Sequence, residues 1–315
     1  MNYEKCPFFS AEDTTPWHGD VFDHPDYTYY CTKSGKKKEI HPFGCFRCKE
    51  MKRMTVMERL QAHYEEALQY FPADRIVGIF LQGSQNYGLE VPGSDVDTKL
   101  IVTPTFEEIA FNKKPHSTTH LRANQEHIDF KDIRLYMQTF RKQNLNFLEI
   151  LFTDYKIINP LYEKEWQRLV DAREAIAHMN PYRAVQSMKG IALEKFHAME
   201  HPYPSKLDII QEYGYDHKQL HHLRRVDDYL ERYIAGESYE SCLRPTDPES
   251  LRWEKMHFRP LEEARSIALA AKEHVEQMAQ DFYAYTPNQE NAEVSDLLDS
   301  VQYNIMEIAI KKEFE

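Results

Sequence analysis

The sequence predicts an α/β (α+β) protein: a mixed sheet with helices, then a C-terminal helical domain, with a loop-rich N-terminal extension in front. Three observations predict it. Short apolar runs bounded by turn residues lie between residues 75 and 158, as buried strands require. Helical periodicity dominates from about residue 160 onward. The first 53 residues show no sustained period and are rich in aromatic, Pro, Gly and charged residues. The expected units are therefore residues 1–53, 54–160 and 161–315.

The elements follow in order. Met57, Leu60, Tyr64, Ala67 and Leu68 share one helical face, and Pro72 ends that helix. Arg75 to Gln82 (RIVGIFLQ) reads as a buried strand. Val96 to Val102 (VDTKLIV) reads as a second, His127 to Phe130 as a third, and DYKII from Asp154 as a fourth. Helical patterns cover Lys131 to Arg141, Tyr182 to Glu200, Asp216 to Ile234, Leu261 to Gln280 and Glu293 to Ile310. Loops are expected at Pro202 to Ser205 and Arg244 to Ser250.

Composition narrows the classes. Hydrophobic content of 42% with 29% charged residues describes a globular chain, and its 315 residues suffice for a sizeable core. No apolar stretch reaches the roughly 20 residues of a spanning helix, so no membrane partner is expected. Met1 to Ser10 has no basic start followed by an apolar run, which predicts no secretory signal and a cytoplasmic location. The net charge of -12 argues against coating nucleic acid through global electrostatics. Contacts through a local basic patch remain open, and Lys33, Lys36, Lys37, Lys38, Arg47, Lys49, Lys52 and Arg53 form such an island, offset by Glu39 and Glu50.

Four of the five cysteines, Cys6, Cys31, Cys45 and Cys48, crowd the first 48 residues, and Cys242 stands alone as a buried thiol. Cys45-Phe-Arg-Cys48 has the spacing of a tetrahedral Zn²⁺ pair, which Cys6 and Cys31 complete, with His24 and His41 as alternative ligands. Buried free cysteines are the competing reading.

The chemistry concentrates in Leu81 to Val102, LQGSQNYGLEVPGSDVDTKLIV. A strand ends at Gly83-Ser84, whose backbone N–H groups and hydroxyl suit a phosphate. The next strand opens with Asp95 and Asp97, two residues apart and therefore on one face, with Val96 turned into the core. Paired carboxylates repel unless a cation lies between them, and hard oxygen ligands suit Mg²⁺ or Mn²⁺. A third acid would complete a two-metal site. Asp129, between Ile128 and Phe130, is the first candidate, with Glu126 and Asp132 as competitors, although Asp132 also reads as a helix N-cap. Lys99 shares the strand face of Asp97 and reads either as a phosphate contact or as the partner of an acid. Motifs of other nucleotide-binding and hydrolytic chemistries, Gly-x-x-x-x-Gly-Lys-Ser/Thr, Gly-x-Gly-x-x-Gly, His-Glu-x-x-His and Gly-x-Ser-x-Gly, do not occur.

A strand, Gly-Ser, ten residues, Asp-x-Asp and a second strand resemble the signature of the polymerase-beta-like nucleotidyltransferase superfamily. GSQNYGLEVPGSDVDTKLIV from Gly83, FRKQNLNFLEILF from Phe140 and GYDHKQLHHLRRVDDYLE from Gly214 look more narrowly like the predicted nucleotidyltransferases associated with RNA ligases. The resemblance spans roughly Arg75 to Ile234. It implies transfer of a nucleoside monophosphate from an NTP to a hydroxyl with Mg²⁺. It places catalytic acids at Asp95 and Asp97, phosphate-side residues at Gly83 and Ser84, and basic substrate residues at Lys218, His222 and Arg225. Those three recur at offsets of four and three, one helical face, where a solvated basic stripe is the competing reading. The expected acceptor is an RNA or other nucleic-acid end, recruited by the N-terminal island. A protein hydroxyl, as in AMP-attaching antitoxin-type members, and a non-catalytic nucleotide sensor are the alternatives.

Overall fold

The computed structural model describes Phe9–Asp13, Tyr27–Cys31, Lys38–Glu39, residues 55–91 and residues 93–315. Strands β1 (Phe9–Asp13), β2 (Tyr27–Cys31) and β3 (Lys38–Glu39) pair in that order as an antiparallel sheet. A segment expected to be loop-rich thus holds a small sheet, whose strands of five, five and two residues are too short to register as a period. The zinc expectation falls outside the described residues at Cys6, Cys45 and Cys48, and only the backbone of Cys31 is described.

Helix α1 (Val56–Ala67) starts at a capping box: the Thr55 hydroxyl accepts the Glu58 N–H at 3.2 Å, and the Glu58 carboxylate accepts the Thr55 N–H at 2.8 Å. Then come β4 (Ile76–Gln82), β5 (Asp97–Val102), α2 (Phe106–Ala110), β6 (Ser117–Leu121), β7 (His127–Asp132), α3 (Ile133–Arg141), α4 (Leu145–Leu148) and β8 (Lys156–Ile158). The five strands form one mixed sheet in the order β6-β7-β5-β4-β8, with β5 and β7 parallel and the other pairs antiparallel. Edge strand β6 (STTHL) is polar and largely exposed, so it carries no apolar alternation and gives no strand signal. Asp132 caps α3, accepting the Arg134 N–H at 2.8 Å.

Everything beyond β8 is helical: α5 (Glu163–Asp171), α6 (Arg173–Ala177), α7 (Pro181–Ala198), α8 (Leu207–Tyr213), α9 (His217–Ile234), α10 (Tyr239–Leu243), α11 (Pro248–Met256), α12 (Leu261–Tyr285) and α13 (Ala292–Glu313). Helix α11 begins inside the stretch expected as a loop, because Asp247 accepts the Ser250 N–H at 3.0 Å and Pro248 occupies the first turn. Among the described residues no helix is long and apolar enough to cross a membrane.

The alternation of β5 assigns the two sheet faces. Leu100 and Val102 join Leu60 and Ala67 of α1, whereas Ile101 joins the larger core built with α3, α5, α7, α9, α12 and α13. Asp97 and Lys99 have the parity of Ile101, so they point toward the helical layer, and Thr98 points toward α1.

Beneath that strand lies a buried carboxylate, Glu126, with no exposed surface. It contacts the Arg59 guanidinium and accepts from Arg122 Nη1 at 3.1 Å, Asn124 Nδ2 at 2.7 Å and the Val96 N–H at 3.2 Å. His63 Nε2 lies 2.8 Å from it, and His63 Nδ1 lies 2.9 Å from the Thr98 hydroxyl. Burial, then the charge of Arg122, pushes His63 down to about 3. The ring is therefore neutral: Nε2–H donates to the carboxylate and Nδ1 accepts from Thr98. One acid thus ties α1 and the turn before β7 to the backbone between Asp95 and Asp97. Replacing it by the isosteric amide, Glu126→Gln, removes the buried charge that Arg59 and Arg122 share, while Arg122 keeps Glu66 at 2.6 Å, and urea denaturation is expected to show a loss of about 3–5 kcal/mol. A loss below about 1 kcal/mol, the scale of an exposed ion pair, would contradict this role.

Candidate active site

The C-terminal end of β4, the N-terminal end of β5 and one face of α9 enclose a cleft of about 860 Å³. Gly83, Ser84, Asp95, Asp97, Lys218, His222 and Arg225, residues named from the sequence, all line it. Gly83 leaves the strand with φ of 94°, in the left-handed region where a side chain is strained. The chain then turns through Ser84–Asn86, and the Leu89 N–H returns to the Ser84 carbonyl at 2.9 Å. A second turn, Val91 to Ser94, closes with Ser94 N–H on Val91 O at 2.9 Å and delivers Asp95.

Asp95 precedes β5 rather than lying in it, because the strand begins at Asp97. Burial and then the charge of Asp97 raise the Asp95 carboxyl above its usual range. Burial also raises Asp97, but His127 outweighs it: its backbone N–H donates at 2.9 Å, its ring Nδ1 lies 3.2 Å away, and the net shift is downward. The His127 imidazole is raised in return, chiefly by that hydrogen bond. One acid of the pair is thus anchored and ionised, while the other lines the cleft at an electrostatic cost that a cation would relieve.

The third-acid candidates lie elsewhere. Strand register sets Asp129 opposite Lys99, one pleat repeat beyond the level of Asp97. Its carboxylate is 3.6 Å from Lys99 Nζ and accepts from the Thr119 hydroxyl at 3.4 Å. Lys99 is buried, with its ammonium 3.9 Å from the centre of the Phe147 ring, and neither residue lines the cleft. Glu126 is engaged below the strand and Asp132 caps α3. Among the described residues no three His, Cys, Asp or Glu side chains converge as a metal site. Of the acids named from the sequence as metal ligands, Asp95 and Asp97 line the cleft.

Opposite that pair stands α9. Asp216, which caps it by accepting the Lys218 N–H at 2.9 Å, also pairs with Lys206 at 3.4 Å. Lys218, His222 and Arg225 then project one above another into the cleft. His221 also borders the cleft but is buried: its Nδ1 donates to Leu251 O at 2.8 Å, and burial pushes it down to about 3. The Arg225 guanidinium lies 4.2 Å from the centre of the Tyr87 ring, with Nε and Nη1 buried and without a hydrogen-bond partner. Two buried guanidinium nitrogens without a partner in a cleft wall are expensive unless an anion meets them.

Among the residues of this site that the sequence reading does not name are Glu149 and Lys255. Glu149, 2% exposed on the cleft floor, accepts the Gly83 N–H at 3.3 Å and the Tyr87 hydroxyl. Burial raises its carboxyl, against the pull of Tyr87, Lys99 and Arg225. Its signal lies in FRKQNLNFLEILF, a stretch that enters the sequence reading only as part of the resemblance and without a role for its acid. Lys255, from α11, reaches the cleft from a segment without any motif.

No family model matches the chain, and no curated protein sequence matches it. The chain is similar to the structure of a nucleotidyltransferase-like protein from Exiguobacterium sibiricum 255-15, at 14% sequence identity and a TM-score of 0.29, over 72% of this chain and 75% of that one. A likeness that slight bears on neither fold nor chemistry.

His63 and His221 make stability pH-dependent. Both stay neutral in the folded state, with values of about 3, against 6.5 for the free ring. Below pH 6.5 the unfolded chain therefore binds more protons, so their contribution is complete above that value and falls as pH drops toward 3. Each is expected to remove roughly 2 kcal/mol between about pH 6.5 and pH 5, measured by urea denaturation across that range. A midpoint that does not move would contradict the burial of both rings as neutral groups.

Proposed function

We propose that the protein is a divalent-metal-dependent nucleotidyltransferase that moves a nucleoside monophosphate from an NTP to a hydroxyl, with an RNA or other nucleic-acid end as acceptor. The observation that carries this reading is the opposition of charges across one cleft: Asp95 and Asp97 on the sheet side, Lys218 and Arg225 on α9, and the Gly83-Ser84 turn between them, with His222, a ring that desolvation holds well below its usual range, as a neutral polar group on the same helical face. A polyphosphate with a bound cation presents both signs at once and matches that arrangement.

The residues fit Mg²⁺ or Mn²⁺ as a carboxylate pair, since the Asp95 carboxyl is raised by its neighbour and both are hard oxygen donors. When bound, the ion supplies charge neutralisation on the phosphates and a more acidic acceptor hydroxyl. The chain's own residues do the rest. Arg225 and Lys218 hold phosphate oxygens, His222 stands at the exposed side of the same helical face, and the Ser84 hydroxyl and turn orient the chain of phosphates. His127 keeps Asp97 ionised, and Glu149 fixes the Gly83 turn by its backbone N–H. Transfer forms a bond from the acceptor oxygen to the α-phosphorus, breaks the bond from that phosphorus to the bridging oxygen of the β-phosphate and releases pyrophosphate, with the acceptor proton passing to water. The basic island and the cysteines of residues 1–53 enter this reading as a zinc-stapled recruiter of the acceptor.

One observation favours a second reading. Asp129 is engaged by Lys99 and stands outside the cleft, and two acids alone suffice to bind a metal nucleotide without turning it over. On that reading the protein is a nucleotide sensor.

Purified protein incubated with each labelled NTP, Mg²⁺ and total RNA tests both. The expected outcome is pyrophosphate release with label on RNA, reduced by at least about 100-fold in Asp95→Asn and Asp97→Asn, the scale of losing a group that acts in the transition state. Label on protein that resists ribonuclease would move the acceptor to a protein hydroxyl. Nucleotide binding without consumption of any NTP would replace the transferase by the sensor.

A further inference from the structure

Lys255 is a further cation of the cleft, and its ammonium spans from one wall to the other. Its Nζ crosses from α11 to the opposite wall and donates to the Ser84 hydroxyl at 2.9 Å, the Ser94 hydroxyl at 3.2 Å and the Leu89 carbonyl at 3.3 Å. All three acceptors are neutral, and among the described residues no carboxylate forms an ion pair with this ammonium. The charged groups around it are Lys218 and Arg225 of like sign, with Asp95 and Glu90 of opposite sign. Burial and then Lys218 push Lys255 down to about 8, as expected of a cation short of compensating negative charge.

The scaffold, not the ammonium's own bonds, sets this position. Arg252, one turn earlier on α11, donates to Gly88 O at 2.8 Å. On the other side, His217 Nε2 lies 3.0 Å from Lys255 O, and His221 Nδ1 binds Leu251 O. Helix α11 is thereby pinned both to the Gly83–Ser94 loop and to α9. A phosphate oxygen entering at Ser84 meets an ammonium and a hydroxyl together, so Lys255 trades neutral acceptors for an anionic one, the stronger bond.

We propose that Lys255 is a phosphate-binding residue of this cleft, joining α11 to the polyphosphate of a bound nucleotide through Ser84. The proposal rests on the nucleotide reading of the cleft and adds to it a residue from outside the segment of sequence resemblance. Because Lys255 acts on phosphate and not on base or sugar, the effect of removing it depends on the phosphates the ligand carries.

The test is calorimetric titration, with Mg²⁺ present, of wild type, Lys255→Met, Lys255→Arg and Arg252→Ala. The ligands are the NTP that wild type binds best, its parent nucleoside and inorganic tripolyphosphate. Lys255→Met is expected to lose about 10- to 100-fold in affinity for the NTP and tripolyphosphate and less than about twofold for the nucleoside. Lys255→Arg retains most of the affinity, and Arg252→Ala, which loosens α11 without removing the ammonium, shows no loss that grows with phosphate number. Equal losses for nucleoside and NTP in Lys255→Met, or no loss, overturn the proposal. A wild type that binds tripolyphosphate through Lys255 but no NTP overturns the nucleotide reading and keeps the anion site. A wild type that binds neither overturns both.

Discussion

The buried carboxylate of Glu126 is the constraint on which the rest of this architecture depends. Taking an acid wholly out of water is tolerable only when cations and hydrogen-bond donors surround it, and here they come from three separate parts of the chain: Arg59 and His63 on α1, Arg122 and Asn124 in the turn before β7, and the Val96 N–H at the mouth of β5. Satisfying one group therefore fixes α1 under the sheet and fixes the backbone that carries Asp95 and Asp97. The neutral His63 extends the same network to Thr98, on the face of β5 opposite Asp97. The reactive face of that strand is thus held from behind.

The cleft is built by the same division of labour. The sheet supplies fixed acids and a glycine turn, and the helical layer supplies cations from two helices, α9 and α11, that are pinned to one another by His217 and His221. Glu149 sits between these halves: it accepts from the Gly83 N–H and from the hydroxyl of Tyr87, the ring over which Arg225 lies. Two Arg225 nitrogens without a hydrogen-bond partner, a Lys255 ammonium that meets only neutral acceptors and a raised Asp95 carboxyl leave charge in this cleft that a ligand can answer. Such unspent capacity, costly to the empty fold, is the mark of a site.

The four strands expected at 75–82, 96–102, 127–130 and 154–158 correspond to β4, β5, β7 and β8: the first three bury apolar residues, and the half-buried β8 carries the adjacent pair Ile157 and Ile158. Edge strand β6 escaped because its side chains are polar and face solvent, and α11 escaped because a Pro at its first turn resembles a loop signal. The small N-terminal sheet escaped because strands of two to five residues carry no measurable period. In the cleft, residues adjacent in sequence or at helical spacing were legible: Gly83 with Ser84, Asp95 with Asp97, and Lys218 with His222 and Arg225. Glu126 and Asp129 were harder. Both are acids near one strand, and only the three-dimensional partners, two guanidinium groups for one and Lys99 for the other, distinguish their duties. Lys255 lies 171 residues from Ser84, and no local pattern encodes a contact of that range.

The central claim is that the acid pair and the α9 cations face each other across one bound metal nucleotide. A crystal structure with Mn²⁺ and a non-hydrolysable NTP analogue tests it most directly, because the anomalous signal locates the ion independently of the surrounding protein. The account predicts Mn²⁺ on the carboxylates of Asp95 and Asp97, with phosphate oxygens against Lys218 and Arg225. Mn²⁺ held elsewhere, or a nucleotide whose phosphates lie outside this cleft, would contradict it.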